Sequence, residues 1–81
     1  MLLEILSPEN QIFEGEISSI IFPGSNGKFQ VLKNHAPIIS FLIEGNISYV
    51  TNNKNKILSI SSGVVEVFEN KICALIETNS K

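Results

Sequence analysis

Two side chains in this sequence could carry acid–base or nucleophilic chemistry near neutral pH. They are His35 and Cys73, and each is the only residue of its type. A histidine working as a base is normally oriented by a carboxylate, and a thiol working as a nucleophile needs a base or a positive field beside it. His35 lies in Phe29-Gln30-Val31-Leu32-Lys33-Asn34-His35-Ala36-Pro37, with no acid next to it. Cys73 lies in Ile72-Cys73-Ala74-Leu75-Ile76, where apolar neighbours raise a thiol pKa and slow its reactions. A Cys–His pair remains open at this point, because catalytic partners need not be close in sequence. The plainer reading makes His35 a corner residue bonded to backbone groups and Cys73 a small buried hydrophobe.

The remaining chemistry is narrowed by what the composition lacks. All eight acids are glutamate and all six cations are lysine. Without aspartate there is no EF-hand loop, no aspartate dyad and no Ser-His-Asp triad. Without arginine there is no bidentate fork for phosphate, carboxylate or guanine. One histidine with one cysteine is a poor basis for zinc, which takes three or four protein ligands. No metal or cofactor site is expected. The net charge of -2 and a pI near 5.2 argue against a nucleic-acid partner. The stretch Gly24-Ser25-Asn26-Gly27-Lys28 could be mistaken for a phosphate cradle. A P-loop, however, ends in Gly-Lys-Ser/Thr and opens a helix, whereas Phe29-Gln30-Val31 reads as a strand. Asn26-Gly27 is a turn signal, and Lys28 is a solvated charge beside it.

The elements that must position these residues follow from punctuation. Turn chemistry falls at Ser7-Pro8-Glu9-Asn10, Glu14-Gly15, Pro23 to Gly27, Lys33 to Pro37 and Glu44-Gly45-Asn46. It recurs at Asn52 to Asn55, Ser62-Gly63 and Asn70-Lys71, with Lys54 to Lys56 read as an exposed hairpin tip. The runs between are short and rich in isoleucine, valine and phenylalanine, and none holds a 3.6-residue period over a helical length. The chain therefore reads as one all-β domain over residues 1–81: a two-sheet antiparallel β-sandwich of roughly eight to ten short strands. The tail from Thr78 to Lys81 is polar and is expected to fray. No apolar run approaches the ~20 residues that cross a bilayer as a helix.

Side-chain alternation carries a functional hint. A strand in a sandwich buries one face only. Yet in 38–43 one face carries Ile38, Ser40 and Leu42 and the other carries Ile39, Phe41 and Ile43. In 71–76, Ile72, Ala74 and Ile76 stand opposite Cys73 and Leu75; in 64–68, Val65 and Val67 stand opposite Val64, Glu66 and Phe68. A two-sheet domain has one interior, so the surplus apolar face calls for a partner surface.

The ordered series of residues resembles the epsilon subunit of F-type ATP synthases, in its N-terminal β-sandwich. The match runs from Leu2–Leu6 and Ser7-Pro8-Glu9 through Phe13-Glu14-Gly15-Glu16, Pro23-Gly24, Gly27 and Phe29 to Pro37. Leu42, Gly45, Ile47, the segment Ile60 to Val67 and the strand Ile72 to Leu75 follow in the family's order. Departures occur at Gln30, Lys33 and Ser62, where relatives commonly have glycine, proline and glycine, and at Lys28, which is often acidic.

The resemblance implies a non-catalytic rotor subunit of a proton-translocating ATP synthase. It would join the gamma subunit to the c-ring and couple proton flow to ATP synthesis. Such a subunit sits peripherally on the cytoplasmic face of the bacterial inner membrane. By this resemblance His35, Ile39, Ser40, Phe41 and Ile43 face gamma, and Ser25, Asn26 and Lys28 face the c-ring. With the sequence stopping at Lys81, the expectation is a short form with neither the family's C-terminal helical hairpin nor its ATP site. The competing reading is a small β-barrel that binds a ligand or nucleic acid. It would want stacking aromatics and a basic groove, against one tyrosine, five phenylalanines and an acidic balance here.

Overall fold

Local turn chemistry sets the hairpins. The computed structural model describes residues 1–78, in eight strands and no helix among those residues. They are β1 (Leu2–Leu6), β2 (Gln11–Glu16), β3 (Ser19–Gly24), β4 (Gly27–Val31), β5 (Ile38–Leu42), β6 (Gly45–Thr51), β7 (Lys54–Phe68) and β8 (Lys71–Thr78). The β6–β7 turn is Asn52-Asn53, with φ of 52° and 63°; the β7–β8 turn is Glu69-Asn70, with φ of 50° and 62°. Two successive positive φ values match the right-handed twist of paired strands, and asparagine tolerates them. The β3–β4 turn is Ser25-Asn26 between the paired Gly24 and Gly27, and there only Gly27 goes left-handed, at 117°.

Two of the expected breaks are not turns, and a third is narrower than expected. Strand β2 runs through Gly15 and β7 runs through Gly63, while Pro23-Gly24 closes β3. A lone glycine inside a pairing strand is satisfied by the ladder on either side, so its flexibility is never used. The second hairpin tip is Asn52-Asn53, and Lys54 already pairs with Thr51 inside the ladder. Of the expected polar tail, Thr78 ends β8, and Asn79 to Lys81 lie outside the described residues.

The ladders fall into two sets. One runs β2-β1-β8-β7-β5, using Ile60 to Phe68 of β7; the other joins β4, β3 and β6 to β7 through Lys54 to Ile60, so that Ile60 serves both. Their inner faces meet in one core. Leu3, Ile5, Val65, Ile72 and Ala74 of the first set and Ile20, Phe22, Val31, Ile47 and Ile60 of the second are fully buried in the same cluster. A tilted contact between Phe13 on β2 and Tyr49 on β6, with ring centroids 4.9 Å apart, also ties the sets. This is an all-β sandwich, but its two layers are not separate sheets. Strand β7 crosses from one to the other, and β3 meets β5 at Gly24↔Leu42. The expectation of purely antiparallel pairing is corrected as well: β1 and β8 pair in parallel, Leu2↔Lys71 to Leu6↔Leu75. Parallel neighbours need a long connection, and here it is nearly the whole chain.

The crossing in β7 is built by a shift in register. Ile60 pairs with Thr78, but the next pair is Ser62↔Glu77. Ser61 is the extra residue, and its hydroxyl donates to the Glu77 carbonyl at 3.2 Å. Gly63 follows, packed so closely that a Cβ there would stand 2.7 Å from the Leu75 carbonyl oxygen. At the other end of the molecule Asn70 joins three segments. Its backbone carbonyl accepts from Leu2 N at 3.0 Å, its Oδ1 accepts from Asn34 N at 2.7 Å, and its Nδ2 donates to Asn34 Oδ1 at 3.0 Å.

Two stability outcomes follow from these turns. Glu69 holds a left-handed φ without asparagine's tolerance, so Glu69→Asn should stabilise by about 0.5–1 kcal/mol. Asn70→Ala should cost about 1–3 kcal/mol, since it loses the amide pair while keeping the positive φ. Urea unfolding of both variants checks the opposite signs. Gly63→Ala should also cost about 1–3 kcal/mol, because a backbone oxygen cannot rotate away as a side chain can. An unchanged midpoint would show that the β7 crossing is slack.

Candidate partner-binding face

The first-layer sheet shows its outer face to solvent, and register arranges that face in rows. Strand β5 alternates cleanly: Leu42 is buried and Ile38 and Ser40 are half-buried, while Ile39 and Phe41 are 70% and 71% exposed. Phe41 pairs with Val64, Val64 with Leu75, and Leu75 with Leu6. An apolar row thus crosses four adjacent strands, with Leu75 half exposed at its centre. This row lines an open cleft of about 550 Å³ together with Ser7, Pro8, Ser62, Gly63 and Glu77.

The neighbouring row is Ile39, Glu66, Cys73, Glu4 and Glu14. Gln11 bridges two of its carboxylates, donating from Nε2 to Glu4 Oε2 at 3.1 Å and to Glu14 Oε1 at 3.3 Å. Cys73 sits mid-row, half-buried and free, not in the core as its sequence context suggested. Its strand buries Ile72, Ala74 and Ile76 on the opposite face, so Cys73 belongs to the outer alternation. Burial pushes its thiol pKa up, with the Glu4 carboxylate adding to the rise, Lys71 opposing it and Glu66 reinforcing it. Both burial and neighbouring anions disfavour a thiolate, which is the form a nucleophile needs. His35 is not among the groups acting on that thiol.

The residues singled out from sequence divide among three places. Ile39 and Phe41 project from the outer face of β5, and Ile43, 53% exposed, lies just past the strand's end. Ser40 points the other way, half-buried, with its hydroxyl donating to the Phe41 carbonyl at 3.1 Å. His35 stands at the corner before β5, its backbone N donating to the Leu32 carbonyl at 3.1 Å. Its Nδ1 lies 2.6 Å from the Ala36 carbonyl oxygen. A carbonyl can only accept, so that contact calls for the proton on Nδ1. The corner is anchored through Asn34 to Asn70.

Ser25, Asn26 and Lys28 are exposed around the β3–β4 turn. The turn is bonded to the far end of β5: Ser25 N donates to the Phe41 carbonyl and Ile43 N to the Pro23 carbonyl, both at 2.9 Å. The exposed turn and the exposed apolar strand are therefore parts of one backbone network. Leu6, Pro8, Val64 and Leu75 join the face without having been singled out as site residues. Their alternation was readable, but their alignment with Phe41 needs the register.

Among the described residues no polar or charged side chain is buried, and no three histidine, cysteine or glutamate side chains gather as a metal site. No helix among them is long and apolar enough to cross a membrane.

Comparison with known proteins agrees with this architecture. The family model described as ATP synthase, Delta/Epsilon chain, beta-sandwich domain matches residues 1–80. The ATP synthase epsilon chain of Desulfitobacterium hafniense (strain DSM 10664 / DCB-2) is 40% identical over 76 residues, covering 94% of this chain and 58% of its own length. That of Campylobacter curvus is 42% identical, covering 93% and 59%. That of Chlorobaculum tepidum is 41% identical, covering 93% and 86%. The chain thus spans somewhat under three-fifths of the Desulfitobacterium chain and most of the Chlorobaculum one. In fold it is similar to a chain of the Tetrahymena thermophila mitochondrial ATP synthase central stalk and c-ring, with TM-score 0.79 at 14% identity over 94% of this chain and 62% of that one. A chain of the Euglena gracilis mitochondrial ATP synthase gives 0.81 at 21% identity, over 96% and 49%. With a family match over nearly its whole length and relatives at about 40% identity, this chain belongs to the β-sandwich domain family of ATP synthase delta and epsilon chains.

Proposed function

We propose that this sandwich is a non-catalytic joint in the central stalk of a proton-translocating F-type ATP synthase. It seats the gamma subunit on the c-ring and couples proton flow to ATP synthesis from the cytoplasmic face of a bacterial inner membrane. The observation that carries the reading is β5, whose Ile39 and Phe41 stand 70% and 71% exposed on a strand whose other face lies in the core. Large apolar side chains held out by a rigid strand are the anchors of protein interfaces.

The mechanism asks for stiffness. Gamma would lie against β5, its outer-face neighbours and the His35 corner. The c-ring loops would meet Ser25, Asn26 and Lys28. Force between the two surfaces would pass along the bonds from Ser25 to Phe41 and from Ile43 to Pro23, and laterally through the β5–β7 ladder. Hydrogen-bonded strands resist shear without any reactive group taking part. Ser40 would act from behind the face, holding the strand's geometry and not touching the partner.

Two outcomes test this. Purified chain should retain gamma and c-ring in a pull-down, and Phe41→Ser should weaken gamma binding at least tenfold while leaving the unfolding midpoint nearly unchanged. A wild-type chain that ignores both partners would sink the proposal. His35→Gln should lower the fraction of assembled complex and leave turnover per assembled complex unchanged. Intact assembly with abolished turnover would instead make His35 a participant in chemistry.

A further inference from the structure

The outer face described above has a charge frame as well as an apolar row. The row Phe41, Val64, Leu75 and Leu6 is bounded on one side by Glu66 and Glu4. On its other side the next ladder pair is Ser62↔Glu77, and exposed Glu77 lines the same cleft. No cation lies in these rows. The nearest is Lys71, one row beyond Cys73, in line with Phe68, Leu2 and Glu16.

We infer that this face receives an amphipathic helix of the stalk partner, an apolar stripe flanked on both sides by lysine or arginine, laid across β5, β7, β8 and β1. The inference rests on the stalk reading and specifies the partner's surface.

Dimensions and charge both select that occupant. Four adjacent strands span about 14 Å between the outer two, at roughly 4.8 Å per interval. A helix rising 1.5 Å per residue presents anchors at i, i+3 or i+4, and i+7 over about 10.5 Å, so three anchors fit one row. Glu66 on β7 and Glu4 on β1 stand two residues from the apolar row on one side, and Glu77 on β8 stands two residues from it on the other, about 7 Å in each case, which places them beneath the flanks of a helix whose apolar stripe lies on the row. A second copy of this chain would bring the same carboxylates against themselves, and an anionic lipid surface or a nucleic acid would meet the same repulsion. Pairing by an added strand is obstructed along the far half of β5, where Phe41, Leu42 and Ile43 already bond to β3 and its turn, and it would leave Leu75 and Leu6 uncovered. An apolar helix with acidic flanks would be rejected by the frame.

The test uses the whole chain and the purified gamma subunit of the same synthase. Calorimetry compares wild type with the triple variant Glu4→Gln, Glu66→Gln, Glu77→Gln at low and raised salt. Hydrogen exchange on gamma then reports which segment becomes protected. The triple variant is expected to bind on the order of tenfold more weakly at low salt and to show a flatter salt dependence. The protected gamma segment is expected to be helical, with lysine or arginine beside an apolar stripe. Unchanged affinity and salt slope in the variant, or protection of a strand or an acidic helix, overturns the inference and leaves the stalk reading standing. A wild-type chain that fails to bind gamma at all overturns both.

Discussion

The structure depends on the continuity of β7 through its bend. Fifteen residues, Lys54 to Phe68, serve as an outer partner to β6 in one layer and as the central strand between β5 and β8 in the other. Two layers that share a strand cannot slide past one another, because sliding would break ladder bonds on both sides of the crossing. The crossing works because Ser61 is left over from the pairing and Gly63 has no side chain to strike the Leu75 carbonyl. Bulges of this kind sharpen twist and turn corners. Here the bulge lets one small core close over both sheets, and the β3–β5 contact at Gly24↔Leu42 locks the opposite corner.

That closure also fixes what stays outside. A shared interior takes Ile38 and Leu42 but not Ile39 and Phe41, Ile72 and Ile76 but not Leu75. Slipping any strand by one residue would exchange the two sets and place Glu66 or Lys71 in the core. The burial of Val65, Val67, Ile72 and Ala74 therefore holds Phe41, Val64 and Leu75 in a row as firmly as it holds the fold. The exposed apolar row is a by-product of a register that the core enforces, and it needs no loops of its own.

Much of this was legible in sequence because it is local. The two-residue turns, the strand character of each run and the face assignment of 38–43, 64–68 and 71–76 all depend on neighbours a few residues apart. Three things were not legible, and each is long-range. Gly15 and Gly63 carry the same letters as a turn, and only their ladder partners show that they lie within strands. The parallel β1–β8 pair joins the two ends of the chain, so no local pattern marks it. Local alternation sets Cys73 opposite Ile72, Ala74 and Ile76, but which of the two faces is the outer one, and that Glu4 and Glu66 stand on either side of the thiol, follows only from the ladders. The same limit applied to the site: Phe41 and Ile39 stood out as surplus, but Leu75, Leu6 and the carboxylate rows could be aligned with them only once register was known.

The other outer face shows why alignment, and not the amount of exposed apolar surface, separates a docking surface from an ordinary one. On the second layer Ile57 is 68% exposed, close to the value for Ile39, and Ile21 is also exposed. Register, however, sets Ser48 between them, with Gln30 beside Ile21. Two apolar side chains separated by a hydroxyl are each solvated alone, as scattered surface residues commonly are. On the first layer the neighbours of Phe41 across three ladders are Val64, Leu75 and Leu6, so the same residue types become one continuous strip. Water must be excluded from a strip as a unit, which is what gives a partner free energy to gain from covering it. The chain thus has one outer face whose exposed apolar residues are scattered and one whose exposed apolar residues form a strip, on a single core.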